Sequence, residues 1–201
     1  MPGRLDSVAA AVAAELTPLL AEAARRAGHR GPLHLTVPHV SDPAEGQALR
    51  RLAEAAGAGL DHGGGAVTLG GCLTSPRAAA GSADLLAGLD LAWVEVGALQ
   101  ALVFGLPPEQ LLTADPLDDY LRRGLLGVDP RRAVDPVVAG LLGSVAQAAA
   151  LHPHAAVGVR LAGPVREQVV QSLHRLGFRR FAVESLELRP LLLALGQAAL
   201  S

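Results

Sequence analysis

The sequence predicts an α/β fold, in which a parallel sheet of about five strands with outer helices forms part of a (β/α) TIM-barrel-like structure. Short apolar runs bounded by glycine, proline or charged residues alternate with longer Ala/Leu/Arg segments of helical pattern. The chain has 201 residues, whereas a closed eight-stranded barrel typically needs about 250. We therefore expect a single domain over residues 1–201 that contains only part of a barrel.

Five segments have the length and composition of buried parallel strands. They are residues 33–37, 66–72, 91–96, 156–160 and 180–184. Each is short, apolar and bounded by glycine, proline or charge. Because a helical segment separates successive strands, we expect them to run parallel to one another.

Seven segments have a helical pattern. They are residues 6–27, 43–56, 76–87, 116–126, 136–151, 165–176 and 190–200. Several begin with Asp or Ser followed by proline, which is typical of an N-cap and a first helical turn. The first helix has a broad apolar stripe, so residues 1–30 are predicted to be a helical cover for the barrel-like region 31–201.

Composition excludes several classes of function. The net charge of -2 gives no reason to expect binding to nucleic acid or to an anionic membrane. No apolar run is long enough to span a bilayer, and the first residues lack the pattern of a secretion signal. The single cysteine, Cys72, excludes an internal disulfide. We expect a cytoplasmic protein.

The basic residues are all arginine, since the chain has 17 Lys and Arg together and no lysine among them. This bias is typical of a bacterium with a GC-rich genome. It excludes a lysine Schiff base and a phosphate-binding P-loop lysine, so arginine would have to recognise any anion. We expect no cofactor.

One segment, residues 104–138, reads FGLPPEQLLTADPLDDYLRRGLLGVDPRRAVDPVV. It resembles a part of the C-terminal phosphoenolpyruvate/pyruvate-binding barrel of pyruvate phosphate dikinase, in the family of PEP-utilising enzymes. Shorter stretches are also similar in order and spacing: LTVPHV at 35–40, GGCLTSPRAA at 70–79 and VGVR at 157–160. The resemblance implies a barrel domain that dimerises.

The resemblance also implies a site that has lost its chemistry. In the family a Glu and an Asp hold Mg²⁺, and a Cys donates a proton; the corresponding residues here are Thr74, Ala98 and Arg160. A hydroxyl and a methyl group cannot replace two carboxylates for a hard divalent ion. We therefore expect no metal and no dikinase activity.

Six polar residues are predicted at the carboxyl ends of the strands, where sites form in parallel α/β folds. His39, Glu95 and Glu184 are the candidate catalytic residues, and Thr74, Arg77 and Arg160 the candidate substrate-binding residues. Together they could bind a small anionic ligand and move a proton.

Each candidate also has a purely structural interpretation. Glu95 and Arg160 could form an ion pair, and His39 could cap a turn. Thr74 with Ser75 could form the N-cap of the next helix, and Arg77 could belong to the scaffold.

The sequence is compatible with two functions. The first is a degenerate PEP-utilising barrel that serves as a binding, scaffolding or regulatory protein. The alternative is a metal-independent enzyme of lyase, isomerase or cyclase type that acts on a small carboxylate or a biosynthetic intermediate. Because a partial barrel exposes two strand edges, we expect a homodimer or a companion chain that supplies the missing strands.

Overall fold

The predicted α/β fold with a five-stranded parallel sheet is confirmed. The computed structural model describes residues 19, 22–23, 26–28, 33–48, 51, 67–111 and 115–200. The strands lie in the order in which they occur along the chain, and each pairs in parallel with the next. They are β1 (Leu33–Val37), β2 (Val67–Leu73), β3 (Leu91–Glu95), β4 (Ala156–Arg160) and β5 (Phe181–Ala182).

The strands agree closely with the prediction, except at the last edge. β1 and β4 have the predicted bounds, and β2 begins and ends one residue later than expected. β5 contains two residues instead of the predicted segment 180–184. It pairs with β4 through two register pairs. Among the described residues, no strand pairs with its other side.

Seven labelled helices surround the sheet. They are α1 (Pro76–Ala80), α2 (Ser82–Leu86), α3 (Val96–Val103), α4 (Asp115–Arg122), α5 (Pro136–Leu151), α6 (Glu167–Arg175) and α7 (Leu188–Ala198). Short 3-10 helices occupy Pro108–Gln110 and Ser185–Glu187, and residues 43–48 are also helical. None of the described helices is long and apolar enough to cross a membrane.

Two helix predictions need correction. The predicted helix 76–87 is two helices, α1 and α2, which meet at Gly81. Helix α3 was not predicted, because it follows β3 directly with no turn or capping residue between them. Most of the predicted N-terminal helix 6–27, and with it the proposed cover 1–30, lies outside the described residues.

The hydrophobic core lies between one face of the sheet and the helices. On this face Leu73, Val94 and Val159 are fully buried. They belong to the same buried cluster as Val138 and Leu142 of helix α5. The apolar stripe of α5 therefore covers this side of the sheet.

The opposite face of the sheet is mixed in character. The strand register aligns Cys72 with Trp93 and Trp93 with Gly158, one residue away from the core positions, so their side chains point to the other side. Cys72 and Trp93 are half-buried there. The ring of Trp93 lies over Gly158, where a Cβ atom would overlap it. In a closed barrel this face would line the interior.

Candidate functional site

Glu95 and Arg160 form an ion pair at the carboxyl ends of β3 and β4. They are register partners, and Arg160 Nη1 donates a hydrogen bond to Glu95 Oε1 at 2.9 Å. The side chain of Glu95 is 18% exposed, whereas that of Arg160 is 58% exposed. Since a guanidinium carries five N–H donors, Arg160 keeps donors that face solvent.

His39 and Thr74 form a second pair, at the ends of the neighbouring strands β1 and β2. His39 Nδ1 and Thr74 Oγ1 are hydrogen-bonded at 2.9 Å. His39 has a φ of 59°, in the left-handed region that few residues other than glycine adopt. The turn after Pro38 thus holds the imidazole next to the end of β2. The hydrogen bond to Thr74 uses Nδ1 and does not involve Nε2.

Arg77 lies in the first turn of α1 and forms an ion pair with Asp42, at 3.6 Å between Nη2 and Oδ2. Both side chains are well exposed, and salt screening weakens such surface pairs. Asp42 in turn accepts a hydrogen bond from the Ala44 N–H at 2.9 Å. Arg77 therefore contacts the loop after β1, and its role in substrate binding remains a prediction.

The capping interpretation applies to Ser75 rather than to Thr74. Ser75 Oγ accepts a hydrogen bond from the Ala78 N–H at 3.2 Å and so caps α1. Thr74, one residue earlier, uses its hydroxyl for His39. The two adjacent hydroxyls therefore have different roles.

Glu184 lies apart from these pairs. It follows the edge strand β5 and is exposed, and it makes no side-chain capping bond to the 3-10 helix that begins after it. Strand β4 separates β5 from β3, which carries Glu95. Among the described hydrogen bonds and ion pairs, none connects Glu184 to the other five predicted site residues.

Cys72 lies on β2, next to the strand that carries Glu95, and its thiol interacts electrostatically with the first pair. Burial raises the pKa of the Cys72 thiol, the charge of Glu95 raises it further, and the charge of Arg160 lowers it. The thiol is half-buried. Cys72, Glu95 and Arg160 therefore share the polar face of the sheet.

Gln100 is a structural residue that the sequence did not reveal. It is 3% exposed, within the apolar helix α3. Its amide donates a hydrogen bond to the Pro130 carbonyl and accepts one, at 2.9 Å, from the Asp135 N–H. Gln100 thus fixes the loop 130–135. The only signal was a polar residue inside the apolar run VGALQALV.

An arginine-rich cleft lies beyond the ends of the strands. It has a volume of about 420 Å³ and is lined by Asp129, Arg131, Arg132, Pro164 and Arg166. A smaller cavity of about 50 Å³ shares three of these residues and extends to Val96 and Leu161. These two residues directly follow Glu95 and Arg160, so the cleft lies near the same edge of the sheet.

Within the described part of the chain, no three His, Cys, Asp or Glu side chains lie close enough together to hold a metal ion. The absence of a metal and of a cofactor remains a prediction.

Comparison with known proteins yields similarity only in fold. No protein-family model and no curated protein matches the chain. A citrate lyase from Burkholderia xenovorans LB400 matches with a TM-score of 0.57 and 15% identity, over 88% of this chain and 53% of that chain. The citrate synthase SbnG matches with a TM-score of 0.37 and 13% identity, over 90% of this chain and 88% of that chain. This chain thus spans about half the length of the citrate lyase.

The resemblance to pyruvate phosphate dikinase is wrong. A citrate lyase is among the solved structures of similar fold, and no PEP-utilising family model matches. The resemblance depended on local patterns that serve helix formation. Ser75 and Pro76 are the cap and first residue of α1, and Asp119 pairs with Arg122 at the end of α4 and with Arg123 directly after it. Such patterns suit many barrel helices and do not identify a family.

Proposed function

We propose that this chain is an enzyme of lyase type, which acts on a small carboxylate by acid/base chemistry. One observation carries the proposal: four neighbouring strands end at polar side chains that are paired two by two. Glu95 bonds Arg160 across β3 and β4, and His39 bonds Thr74 across β1 and β2. Carboxyl ends of parallel strands are where such folds place their sites.

Arg160 would bind the substrate carboxylate. Its guanidinium is more than half exposed and uses one N–H for Glu95. A carboxylate can accept two parallel hydrogen bonds from a guanidinium, which fixes its orientation as well as its position. Glu95 keeps Arg160 extended over the sheet before the ligand arrives, and its carboxylate would be displaced or shared when the ligand binds.

His39 would transfer the proton, because Thr74 orients its ring. When Nδ1–H donates to Thr74 Oγ1, Nε2 is an acceptor and His39 is a general base. When the Thr74 hydroxyl donates to Nδ1, Nε2 carries the proton and His39 is a general acid. The positive φ of His39 is a strained feature of the kind that accumulates at functional sites.

The reaction class is cleavage of a carbon–carbon bond in a hydroxy-carboxylate. The base takes the hydroxyl proton, the oxygen forms a carbonyl, and the bond to the neighbouring carbon breaks. The electron pair remains on that carbon as an enolate of the carboxylate held by Arg160, and a proton then neutralises it. The fold similarity to a citrate lyase supports this choice of substrate class, although at 15% identity it establishes only the fold.

The polar character of the second sheet face also favours an enzyme over an inert scaffold. Thr36, Cys72 and Glu95 are half-buried there beside Trp93, in place of the packed Leu and Val side chains of the core face. A face used only for scaffolding has no need of a thiol, a carboxylate and a guanidinium within one another's electric field.

Calorimetric titration with citrate, malate and other small di- and tricarboxylates tests the first step. For the carboxylate that binds most tightly, we expect Arg160→Gln to lower the affinity by about tenfold or more, as the loss of a charge-assisted hydrogen bond predicts. Arg175→Gln is the matched control, since Arg175 is exposed at the far end of α6. The proposal would be overturned if none of these carboxylates binds, or if Arg160→Gln and Arg175→Gln lower the affinity equally.

The second step is tested by nuclear magnetic resonance detection of carbonyl products after incubation with the ligand that binds. His39→Gln should keep the affinity within about threefold and lower turnover by about a hundredfold or more. Binding without any turnover by the unaltered protein would mean a carboxylate-binding protein and would contradict the enzyme.

A further inference from the structure

The arginine-rich cleft, lined by Asp129, Arg131, Arg132, Pro164 and Arg166, has a volume of about 420 Å³. This is within the range of small-molecule sites, which is roughly 300–1,000 Å³. Three of its five lining residues are cations and one is an anion. The cleft therefore has a surplus of positive charge in a chain whose net charge is -2.

Arg131 forms the rigid floor of the cleft. Its Nε donates to Asp129 Oδ1 at 2.9 Å, and its Nη2 donates to Asp118 on helix α4. Burial tends to raise the pKa of Asp129, but the hydrogen bonds and charges of Arg131 and Arg132 outweigh it and lower the pKa. Asp129 therefore stays ionised. Together with Asp118, which also pairs with Arg131, it offsets two of the three positive charges.

The loop that carries these residues is anchored in the core. Gln100 binds the Pro130 carbonyl and the Asp135 N–H from inside the protein. Asp135 in turn caps α5 by accepting a hydrogen bond from the Val137 N–H at 2.8 Å. Arg131 and Arg132 thus project from a loop that is held at both ends. This lowers the entropic cost of ordering the loop when a ligand binds.

Arg132 and Arg166 are the cations left for a ligand. Arg132 approaches Asp129 only to 3.7 Å, and its side chain is 78% exposed. Arg166 is exposed and precedes α6 without a side-chain capping bond. Within the described residues no carboxylate pairs with Arg166. The first N–H groups of α6 lie beside it, and the carboxylate of Glu167 in that first turn offsets part of their positive potential.

We infer that this cleft binds the phosphate or diphosphate group of a small molecule. Two guanidinium groups that line the cleft from two separate loops suit a ligand with several oxygens and at least two negative charges, which they can bind by paired hydrogen bonds. The inference does not depend on the carboxylate chemistry proposed for Arg160, because it involves other side chains on other loops.

Calorimetry with inorganic pyrophosphate at low ionic strength tests the inference in the full chain. We expect Arg166→Gln and Arg132→Gln each to raise the dissociation constant by about tenfold or more. Arg175→Gln removes the same charge at the other end of α6, about 13 Å from Arg166. This variant should change the dissociation constant by less than about twofold. Thermal melts of the variants verify that each is folded, as expected for exposed positions.

Two further arms identify the source and the chemistry of the ligand. Tighter binding of glucose 6-phosphate than of inorganic phosphate would assign the site to a phosphate ester, and equal binding would assign it to the free anion; both support the inference. It is overturned if pyrophosphate does not bind at about 10 mM, if the three variants lose affinity equally, or if Arg166→Gln and Arg132→Gln weaken the binding of citrate more than that of pyrophosphate. None of these results depends on turnover or on Arg160.

Discussion

Arg160 donates a hydrogen bond to Glu95 across the ends of two neighbouring strands, at 2.9 Å, and the two are register partners in the sheet. The pair lies on the face of the sheet that the helices of the core do not cover. The strand register places Cys72 on this face as well, where the charge of Glu95 raises the pKa of its thiol and that of Arg160 lowers it. This arrangement can be tested without knowledge of the substrate.

Cys72 is the only cysteine of the chain, so alkylation by iodoacetamide reports on one site. The thiolate is the species that reacts, and a raised pKa moves the rise of the rate to higher pH. Glu95 raises the pKa of Cys72 and Arg160 lowers it. Glu95→Gln should therefore move the rise in alkylation rate to lower pH, and Arg160→Gln should move it to higher pH. The measurement is the alkylation rate as a function of pH.

Glu184→Gln is the control for this experiment, since the carboxylate of Glu184 is not among the charges that act on Cys72. Its profile should coincide with that of the unaltered protein. A shift in the same direction for Glu95→Gln and Arg160→Gln would show that the three groups do not interact as described.

Gly158 is required by the ring of Trp93. A Cβ atom at Gly158 would overlap the ring and would lie 3.0 Å from Arg180 Cβ. Gly158→Ala should therefore displace Trp93 and lower the free energy of unfolding by about 1–3 kcal/mol, as overpacking does. Urea unfolding monitored by the fluorescence of this single tryptophan measures both effects.

Gly140→Ala is the matched control. Gly140 lies inside helix α5, and a Cβ atom there would meet nothing within 4 Å. Alanine should raise the free energy of unfolding by about 0.5–1 kcal/mol, because it reduces the entropy lost on folding. Equal effects of the two substitutions would disprove the role assigned to Trp93.

Gln100 should contribute to stability more than any exposed glutamine. Gln100→Ala removes the partners of the Pro130 carbonyl and the Asp135 N–H. Leaving two such groups unsatisfied should cost about 2–4 kcal/mol in the free energy of unfolding. Gln171→Ala, which removes only a surface bond to Glu167, should cost less than about 0.5 kcal/mol. Chemical denaturation that finds the two variants alike would contradict this role.

We propose a homodimer, as the exposed edge of the sheet suggests. After the edge strand β5, Leu186 of the 3-10 helix and Leu192 and Leu193 of α7 are 89%, 60% and 68% exposed. Exposed leucines in segments that follow a strand with only one partner among the described residues favour association. Light scattering should give a dimer at about 100 µM, and Leu192→Glu combined with Leu193→Glu should shift it to a monomer.

Leu151→Glu serves as the control for the dimer, because Leu151 is 72% exposed at the end of α5. This variant should stay dimeric. A monomeric unaltered protein at the same concentration would rule out the dimer.

The strands were predictable because each is a short apolar run with clear boundaries, and β1 and β4 have the predicted bounds. The capped helix α5 was equally clear, since Asp135 and Pro136 are strong local signals of a helix start. Helix α3 was missed because it begins directly after β3, where an apolar run continues and no local residue marks the change.

The family resemblance failed for a related reason. Motifs such as Ser75-Pro76 encode helix starts, and helix starts occur in every barrel. A local pattern can therefore match a family without sharing its history or its chemistry.

By itself the sequence determined the class of fold, the bounds of β1 and β4 and the polar residue types near the strand ends, because periodicity and capping act over a few neighbouring residues. Only the tertiary structure decided which of them meet. It paired Glu95 with Arg160 and His39 with Thr74, bound Arg77 to Asp42 and left Glu184 at the edge. It also assembled the arginine cleft from two distant loops. Strand register and loop packing join residues far apart in sequence, and no local pattern records such contacts.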